Sequence, residues 1–261
     1  MTNADFTRST HGTAGLRPRG PVLVAAAWLA VLAGAAFFGA LWLGRFAQAG
    51  VAAPVITAAL LLAACAPVLW FLPTAHGHDR LGPANAVTLL RLALVAVLAG
   101  ALAWPAAALA DPGPGWALAG IATVALILDG VDGWAARRSG LASRFGAWLD
   151  MEVDLALTLV LALLVVAQGA AGVWILALAG LHPAFVLAGR VWPALRAPLP
   201  DAFWRKALCV GQIAGLIAML SPWLAPPASA VVGALVLGLV AAGFARDVVW
   251  LLRQARAHGT A

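Results

Sequence analysis

Acidic side chains cluster in the middle of a strongly apolar sequence. The cluster lies in two short stretches, DGVDGWAAR and GAWLDMEVD, separated by eight residues. Half of the ten acidic residues of the chain lie there: Asp129, Asp132, Asp150, Glu152 and Asp154. A charged side chain at membrane depth costs on the order of 3 kcal/mol by insertion scales, so that several carboxylates need a compensating partner. The natural partner is a divalent cation.

The spacing of the aspartates predicts how they could meet. Asp129 and Asp132 are three residues apart and Asp150 and Asp154 are four apart, so that each pair shares one helix face. Two such helices, joined by a basic loop over 138–144, could direct four carboxylates into one cavity. Hard oxygen ligands without His or Cys favour Mg²⁺ or Mn²⁺ over zinc, and Mg²⁺ is usually held by carboxylates together with substrate phosphates. The pattern therefore favours phosphate chemistry.

These residues resemble the signature of the CDP-alcohol phosphotransferases, also called CDP-alcohol phosphatidyltransferases, which are membrane enzymes of phospholipid biosynthesis. The family pattern is D-x2-D-G-x2-A-R-x8-G-x3-D-x3-D. All of its fixed positions are matched at the right spacing, by Asp129, Asp132, Gly133, Ala136, Arg137, Gly146, Asp150 and Asp154. So long a match is far more specific than a lone glycine motif. The resemblance implies transfer of a substituted phosphoryl group, typically phosphatidyl, from a CDP-linked donor such as CDP-diacylglycerol to an alcohol acceptor, with release of CMP.

The resemblance also implies roles for the acidic residues. Two Mg²⁺ or Mn²⁺ ions would be held by Asp129, Asp132, Asp150 and Asp154, and Asp154 is the best candidate for the base that deprotonates the acceptor hydroxyl. Glu152 does not belong to the family pattern. Because it lies two residues from Asp150, we expect it to point away from the metal face, in a salt bridge or at the interface.

Small and basic residues of the same motif are expected to bind CDP. Gly133, Ala136 and Gly146 resemble part of a cytidine site, where small residues allow a ligand to approach the backbone. The alternative is that they are ordinary small contacts between helices, and both can hold at once. Arg137 offers a fork of donors to the diphosphate.

A second motif, PANAVTLLR, precedes the acidic cluster. It resembles the P-N-x-I-T-x-x-R segment that opens the first core helix of many family members, with an Ala inserted between Pro83 and Asn85. By resemblance, Asn85, Thr88 and Arg91 line the nucleotide or acceptor cavity. The alternative is that Asn85 caps the helix and Arg91 extends to the membrane interface.

The loop before this motif contains His76 and His78. A His-x-His pair can bind metal, but without a third ligand it is more typical of a solvated loop.

Basic residues elsewhere could bind a phosphorylated acceptor such as glycerol 3-phosphate or inositol phosphate. The candidates, besides Arg91, are Arg144, Arg190, Arg205 and Lys206. The alternative is that they only mark the cytoplasmic side.

Lys206, Cys209 and Gln212 resemble the family's K-x2-T-x2-Q segment, with Cys in place of Thr. The residues DMEVD also depart from the D-P-x-A-D of glycerophosphate-using members, so that the acceptor stays open.

The composition places the chain in the membrane class. Hydrophobic residues make up 64%, charged residues 10%, and the mean hydropathy is +0.97. Apolar runs close to the ~20 residues that span a bilayer predict an all-α polytopic bundle of about eight transmembrane helices. The runs cover 21–43, 52–72, 88–108, 115–135, 146–167, 172–191, 206–220 and 228–250.

We expect four segments: a cytoplasmic N-terminal tail (1–20), an extra two-helix segment (21–73), a six-helix family core (82–254) and a C-terminal tail (255–261). With a cytoplasmic N-terminus and eight spans, 15 of the 16 Lys and Arg residues fall on the cytoplasmic side. An integral protein of a bacterial cytoplasmic membrane, with its active site facing the cytoplasm, is therefore expected. The resemblance further implies a homodimer.

Other functions fit less well. The net charge of +6 does not indicate nucleic acid, because the basic residues are scattered among apolar runs. A divalent-cation transporter would also carry intramembrane acids, although the fixed cation of Arg137 suits phosphate better than a passing metal. A catalytically inactive scaffold of the same fold is the remaining alternative.

Overall fold

The computed structural model describes residues 19–200 and 202–257, and these residues form helices and no strand. The predicted all-α membrane bundle is confirmed. Eight helices are long: α1 (Arg19–Phe46), α2 (Ala52–Ala75), α3 (Pro83–Gly100), α5 (Pro112–Ser139), α6 (Arg144–Ala167), α7 (Ala177–Val191), α8 (Phe203–Leu220) and α9 (Ala228–Ala257). A single turn, α4 (Ala106–Leu109), precedes α5. Residues 1–18 of the predicted N-terminal tail (1–20) and residues 258–261 of the predicted C-terminal tail (255–261) lie outside the described part.

Among the described helices, seven are long and apolar enough to cross a membrane, all of the long ones except α6. With 24 residues, α6 is about 36 Å long and could also span a bilayer. It differs because Arg144 and three acidic residues lie in its first three turns. Each of the eight predicted spans therefore contains a long helix, and the one that departs in composition carries half of the acidic motif.

The predicted third span is shorter than expected. It was predicted to continue to residue 108, whereas α3 ends at Gly100 and a 3₁₀ turn follows. Pro105 has no N–H to continue the helical ladder. Gly100 also packs tightly on α2, since a Cβ there would lie 2.7 Å from the carbonyl oxygen of Ala53.

Helices that cross a membrane one after another must alternate in direction, so that their ends lie on two sides of the bundle. The basic side is the one to which this alternation assigns the helix ends at residues 19, 75, 83, 139, 144, 191, 203 and 257. On this side, the connection between α2 and α3 contacts the connection between α5 and α6, because the Nε2 of His78 lies 3.2 Å from the carbonyl oxygen of Ala142. Of the Lys and Arg residues in the described part of the chain, only Arg45 lies at a helix end on the opposite side. This asymmetry is the one predicted from the sequence.

The central helix of the bundle is α3. In the most apolar 18-residue stretch of α3, 56% of the residues are buried inside the bundle, whereas the corresponding share in the other apolar helices is 17–28%. Neighbouring helices α1, α2, α5 and α6 all pack on it. The side chains of α3 therefore face protein on several sides, and polar groups on it can be enclosed.

A short connection turns the chain between α5 and α6. Gly140 has a φ of +66°, a left-handed conformation that favours glycine and ends α5. Ser143 then caps α6, because its Oγ accepts a hydrogen bond of 3.1 Å from the N–H of Gly146. The motif thereby lies on two consecutive helices, and both of them pack on α3.

His76 anchors this connection to the end of α2. Its Nδ1 lies 3.0 Å from Ser143 Oγ and its Nε2 lies 2.7 Å from the carbonyl oxygen of Arg80. The ring is buried, so that the prediction of a solvated loop is wrong for His76. Since both ring nitrogens already have partners, the metal-binding alternative is not supported either.

Candidate active site

Carboxylates from two helices meet around one guanidinium. Arg91 Nη1 donates to Asp132 Oδ2 at 2.8 Å and to Asp150 Oδ1 at 2.6 Å. Arg91 Nη2 lies 2.9 Å from Asp129 Oδ1 and also contacts Asp154. The predicted convergence of the acids from α5 and α6 is therefore present, and α3 contributes the cation between them. We call these five residues the carboxylate cluster.

The carboxylate cluster has a closed end and an open end. Asp132 is the buried member, with 3% of its side chain exposed, and it also accepts a 3.0 Å hydrogen bond from Thr88. Asp150 and Asp154 are 44% and 36% exposed. A ligand can thus reach the cluster at Asp150 and Asp154, whereas Asp132 is enclosed by α3.

The structure corrects both alternatives for the α3 motif. Arg91 has no exposed surface, so that the alternative in which it extends to the membrane interface is wrong. Asn85 is not the cap, because Gly82 occupies the N-cap position, and the Nδ2 of Asn85 instead donates to the carbonyl oxygen of Leu81 at 2.5 Å. The expectation that Arg91 binds the acceptor also needs revision, because both of its terminal nitrogens are engaged by aspartates.

The acidic residues suit a divalent cation. Asp129, Asp132 and Asp150 each present one carboxylate oxygen, and these oxygens lie within 4.8 Å of one another. The donors are hard oxygen atoms, which Mg²⁺ and Mn²⁺ prefer. Four carboxylates and one guanidinium leave the cluster with a formal charge of −3. An excess of this size in a membrane bundle needs added positive charge, which divalent ions could supply.

Two of the predicted small residues lie where backbones and side chains approach closely. A Cβ on Gly146 would lie 2.7 Å from Asn85 Oδ1, so that α6 meets α3 closely at this point. A Cβ on Gly133 would lie 3.4 Å from Arg137 Nη1, which places that guanidinium beside the first helix turn after Asp132. Arg137 is exposed and has no ion pair with any residue of the described ranges.

A cavity of about 450 Å³ adjoins the open end of the cluster. We call it the inner cavity, and it lies between α6, α7, α8 and α9. Its polar lining consists of Asp150, Asp154, Thr158, His182, Arg205, Cys209, Gln212 and Asp247. Of the residues predicted to bind a phosphorylated acceptor, only Arg205 is in this lining. Arg144, Arg190 and Lys206 are exposed and lie outside it.

Sequence reasoning missed Asp247 and its partner. Arg205 Nη1 lies 3.1 Å from Asp247 Oδ1, an ion pair between α8 and α9 at the edge of the inner cavity. A signal for it was present, because Asp247 is an isolated acid within an apolar run and such a residue predicts a buried partner. Thr158 and His182 gave no comparable signal and enter the lining through packing alone.

In the described part of the chain, seven apolar helices and an acidic cluster that is closed at Asp132 define an integral membrane protein with a polar intramembrane site. The family model for CDP-alcohol phosphatidyltransferase matches residues 81–244, and the chain belongs to this family. The match begins just before α3 and leaves out α1 and α2. Searches of curated proteins and of solved structures found no match to the chain. The family is a transferase family that acts on CDP-alcohols.

Proposed function

We propose that this protein transfers a substituted phosphoryl group, in particular phosphatidyl, from a CDP-linked donor to an alcohol and releases CMP. The donor would be CDP-diacylglycerol or another CDP-alcohol, and the reaction would serve phospholipid biosynthesis. The observation that carries the proposal is the carboxylate cluster, with its formal charge of −3, inside the segment that matches the family.

Asp129, Asp132, Asp150 and Asp154 are proposed to hold Mg²⁺ or Mn²⁺, with two ions expected. The hard oxygen donors and the uncompensated negative charge support this assignment. When bound, such ions neutralise the phosphate oxygens of the substrate and stabilise the charge that develops during the displacement. Arg91 supplies the remaining positive charge and keeps the carboxylates of α5 and α6 together.

In the proposed step, the acceptor oxygen attacks the phosphorus that carries the donor's alcohol. The bond from this phosphorus to the oxygen bridging to the cytidine phosphate breaks, and CMP leaves with the electron pair. Asp154 takes the proton of the acceptor hydroxyl. Its position at the open end of the cluster, beside the inner cavity, supports this role because a base must come within hydrogen-bonding reach of the hydroxyl.

The CDP moiety is proposed to bind along α5 and the start of α6. Arg137 would donate to the diphosphate, and its exposed guanidinium beside Gly133 supports this. Ala136 and Gly146 would border the cytidine. Asn85 would contribute to the nucleotide site through its position against Gly146, and Thr88 would contribute indirectly by orienting Asp132.

The remaining proposals concern the cell. We propose a bacterial cytoplasmic membrane, with the basic side facing the cytoplasm where CDP-linked substrates are made. The concentration of Arg and Lys on that side supports this orientation. The homodimer stays a prediction from the family resemblance. The division of the chain into an extra N-terminal pair of helices and a family core also stays a prediction.

The test is release of CMP by the purified full chain in detergent. Incubation with CDP-diacylglycerol, Mg²⁺ and a panel of serine, inositol phosphate and glycerol 3-phosphate should yield CMP and a new lipid, and EDTA should abolish both. Asp154→Asn should lower turnover by about 10²–10⁴-fold with the fold retained. Glu152→Gln is the matched control, because Glu152 is exposed two residues away on the same helix. Equal turnover in the two variants would contradict the role of Asp154, and a scaffold would show no turnover at all.

The transporter alternative is tested in parallel. Proteoliposomes that contain the chain should not accumulate Mn²⁺ above the rate of protein-free vesicles. Accumulation of Mn²⁺ without release of CMP from any donor would favour transport and overturn the proposed transfer.

A further inference from the structure

The inner cavity has a polar mouth and an apolar interior. Its lining includes Arg205 and Asp247 near the basic side, and continues to Ile213 on α8 and Val240 on α9. At 1.5 Å per residue, these positions lie about 10–12 Å further into the bundle. Most of the remaining lining is apolar: Leu155, Leu178, Phe185, Leu208 and Phe244. A small ionic alcohol would leave this interior unfilled.

The charged residues of the lining do not favour binding of a phosphate group. Among the described residues, Arg205 is the one Lys or Arg of the lining, and it already pairs with Asp247 at 3.1 Å. The other two carboxylates of the lining, Asp150 and Asp154, belong to the carboxylate cluster, where Arg91 contacts both. The described lining therefore offers a phosphorylated acceptor no Lys or Arg that is free of a carboxylate partner, which disfavours its binding.

The cations that a phosphate would need lie elsewhere. A second cavity of about 530 Å³ contains Arg246 and Arg253, and it shares Leu199, Trp204, Arg205 and Asp247 with the inner cavity. Neither Asp150 nor Asp154 is part of its lining. An acceptor held by Arg246 and Arg253 would therefore be separated from the proposed base by the Arg205–Asp247 pair.

We propose that the inner cavity is the acceptor site and that it takes an uncharged alcohol with a hydrocarbon body, such as a diacylglycerol. The hydroxyl lies at the open end of the carboxylate cluster, within reach of Asp154, and the hydrocarbon lies against the apolar interior. Thr158, Gln212 and His182 offer hydrogen-bonding groups to the ester or hydroxyl oxygens of such an alcohol. This inference rests on the proposed transferase activity for the identity of the ligand, but occupancy of the cavity can be measured without turnover.

Cys209 provides the probe. It lines the inner cavity and is exposed, and Cys65 on α2 is the other of the two cysteines in the chain. In a Cys65→Ala background, the rate of Cys209 modification by N-ethylmaleimide reports whether the cavity is filled. At ten times its Kd, a competitor should slow modification about tenfold, because only the free protein reacts. We expect protection by dioctanoylglycerol and none by glycerol 3-phosphate.

A second variant tests the charge argument. Asp247→Asn releases the Arg205 guanidinium, so that glycerol 3-phosphate should now protect Cys209 at least several-fold better than in the parent. Asp79→Asn is the matched control, because Asp79 is exposed on the same side of the bundle and outside both cavities. Thermal melting of both variants shows whether the fold is retained.

The outcomes are distinct. Protection by glycerol 3-phosphate in the parent, or by CDP-diacylglycerol alone, would overturn the inference, because the cavity would then hold a phosphorylated alcohol or the donor's chains. CMP release is measured on the same protein with CDP-diacylglycerol or CDP-choline as the donor and each alcohol as the acceptor. Release with glycerol 3-phosphate only would refute the acceptor class and leave the transferase intact. Protection by dioctanoylglycerol without CMP from any pair would support the cavity assignment and refute the transferase.

Discussion

Arg91 and Asp132 form a fully enclosed ion pair at the centre of the bundle, with 2.8 Å between Nη1 and Oδ2 and with 0% and 3% of the two side chains exposed. The pair joins α3 to α5 at the closed end of the carboxylate cluster. A buried ion pair is weak evidence for stability by itself, because desolvation offsets much of the attraction. Removing one partner is costly, however, since the other charge is left without compensation.

Arg91→Met should therefore destabilise the metal-free protein. The variant leaves four carboxylates without their shared cation, and breaking a buried pair typically costs about 3–5 kcal/mol. Divalent ions can replace the lost charge, so that Mn²⁺ should raise the melting temperature of the variant more than that of the parent. Differential scanning fluorimetry in EDTA and in Mn²⁺ measures this difference. Equal Mn²⁺ responses in the two proteins would argue against metal binding at the cluster.

Asp132→Asn should weaken metal binding. The substitution removes one of three carboxylate groups whose oxygens lie within 4.8 Å of one another. We expect the Mn²⁺ dissociation constant to rise by about tenfold or more, as measured by electron paramagnetic resonance of free Mn²⁺. Glu152→Gln, which removes an exposed carboxylate of α6, should leave the constant unchanged.

Gly146→Ala should disturb the site from the first turn of α6. The added Cβ would lie 2.7 Å from Asn85 Oδ1, and Asn85 cannot easily move because its amide is bonded to Leu81. We expect a loss of about 1–3 kcal/mol in stability and a lower rate of CMP release, because α6 carries Asp150 one turn further on. Gly120→Ala in α5 is the matched control, since its Cβ would meet open space. If both alanine variants had the melting temperature and the rate of CMP release of the parent, the contact between Gly146 and Asn85 would not be important for the site.

Ser143→Ala should loosen the connection between α5 and α6. The hydroxyl caps α6 and also contacts His76, and loss of a cap costs about 0.5–2 kcal/mol. Ser143→Asp keeps a capping oxygen and should restore most of the melting temperature. Should alanine and aspartate lower it equally, capping would not explain the effect.

Much of the site could be predicted because its information is local. The i,i+3 and i,i+4 spacing of the aspartates puts each pair on one helix face, and membrane depth makes isolated carboxylates costly. The predicted helices failed mainly at their ends. For example, α3 ends at Gly100 because of close packing on α2 and the proline that follows, and the hydropathy of the run contains neither constraint.

The sequence by itself determined that the chain forms a helical membrane bundle with aspartates on two neighbouring helices, because helix periodicity and hydrophobic length depend only on the order of residues. Tertiary structure decided that Arg91 lies between these aspartates and does not reach the surface, and that Arg205 is neutralised by Asp247. The physical reason is that the pairing of charges 38 or more residues apart depends on how the helices pack. The spacing within each helix cannot specify which distant charge becomes its partner.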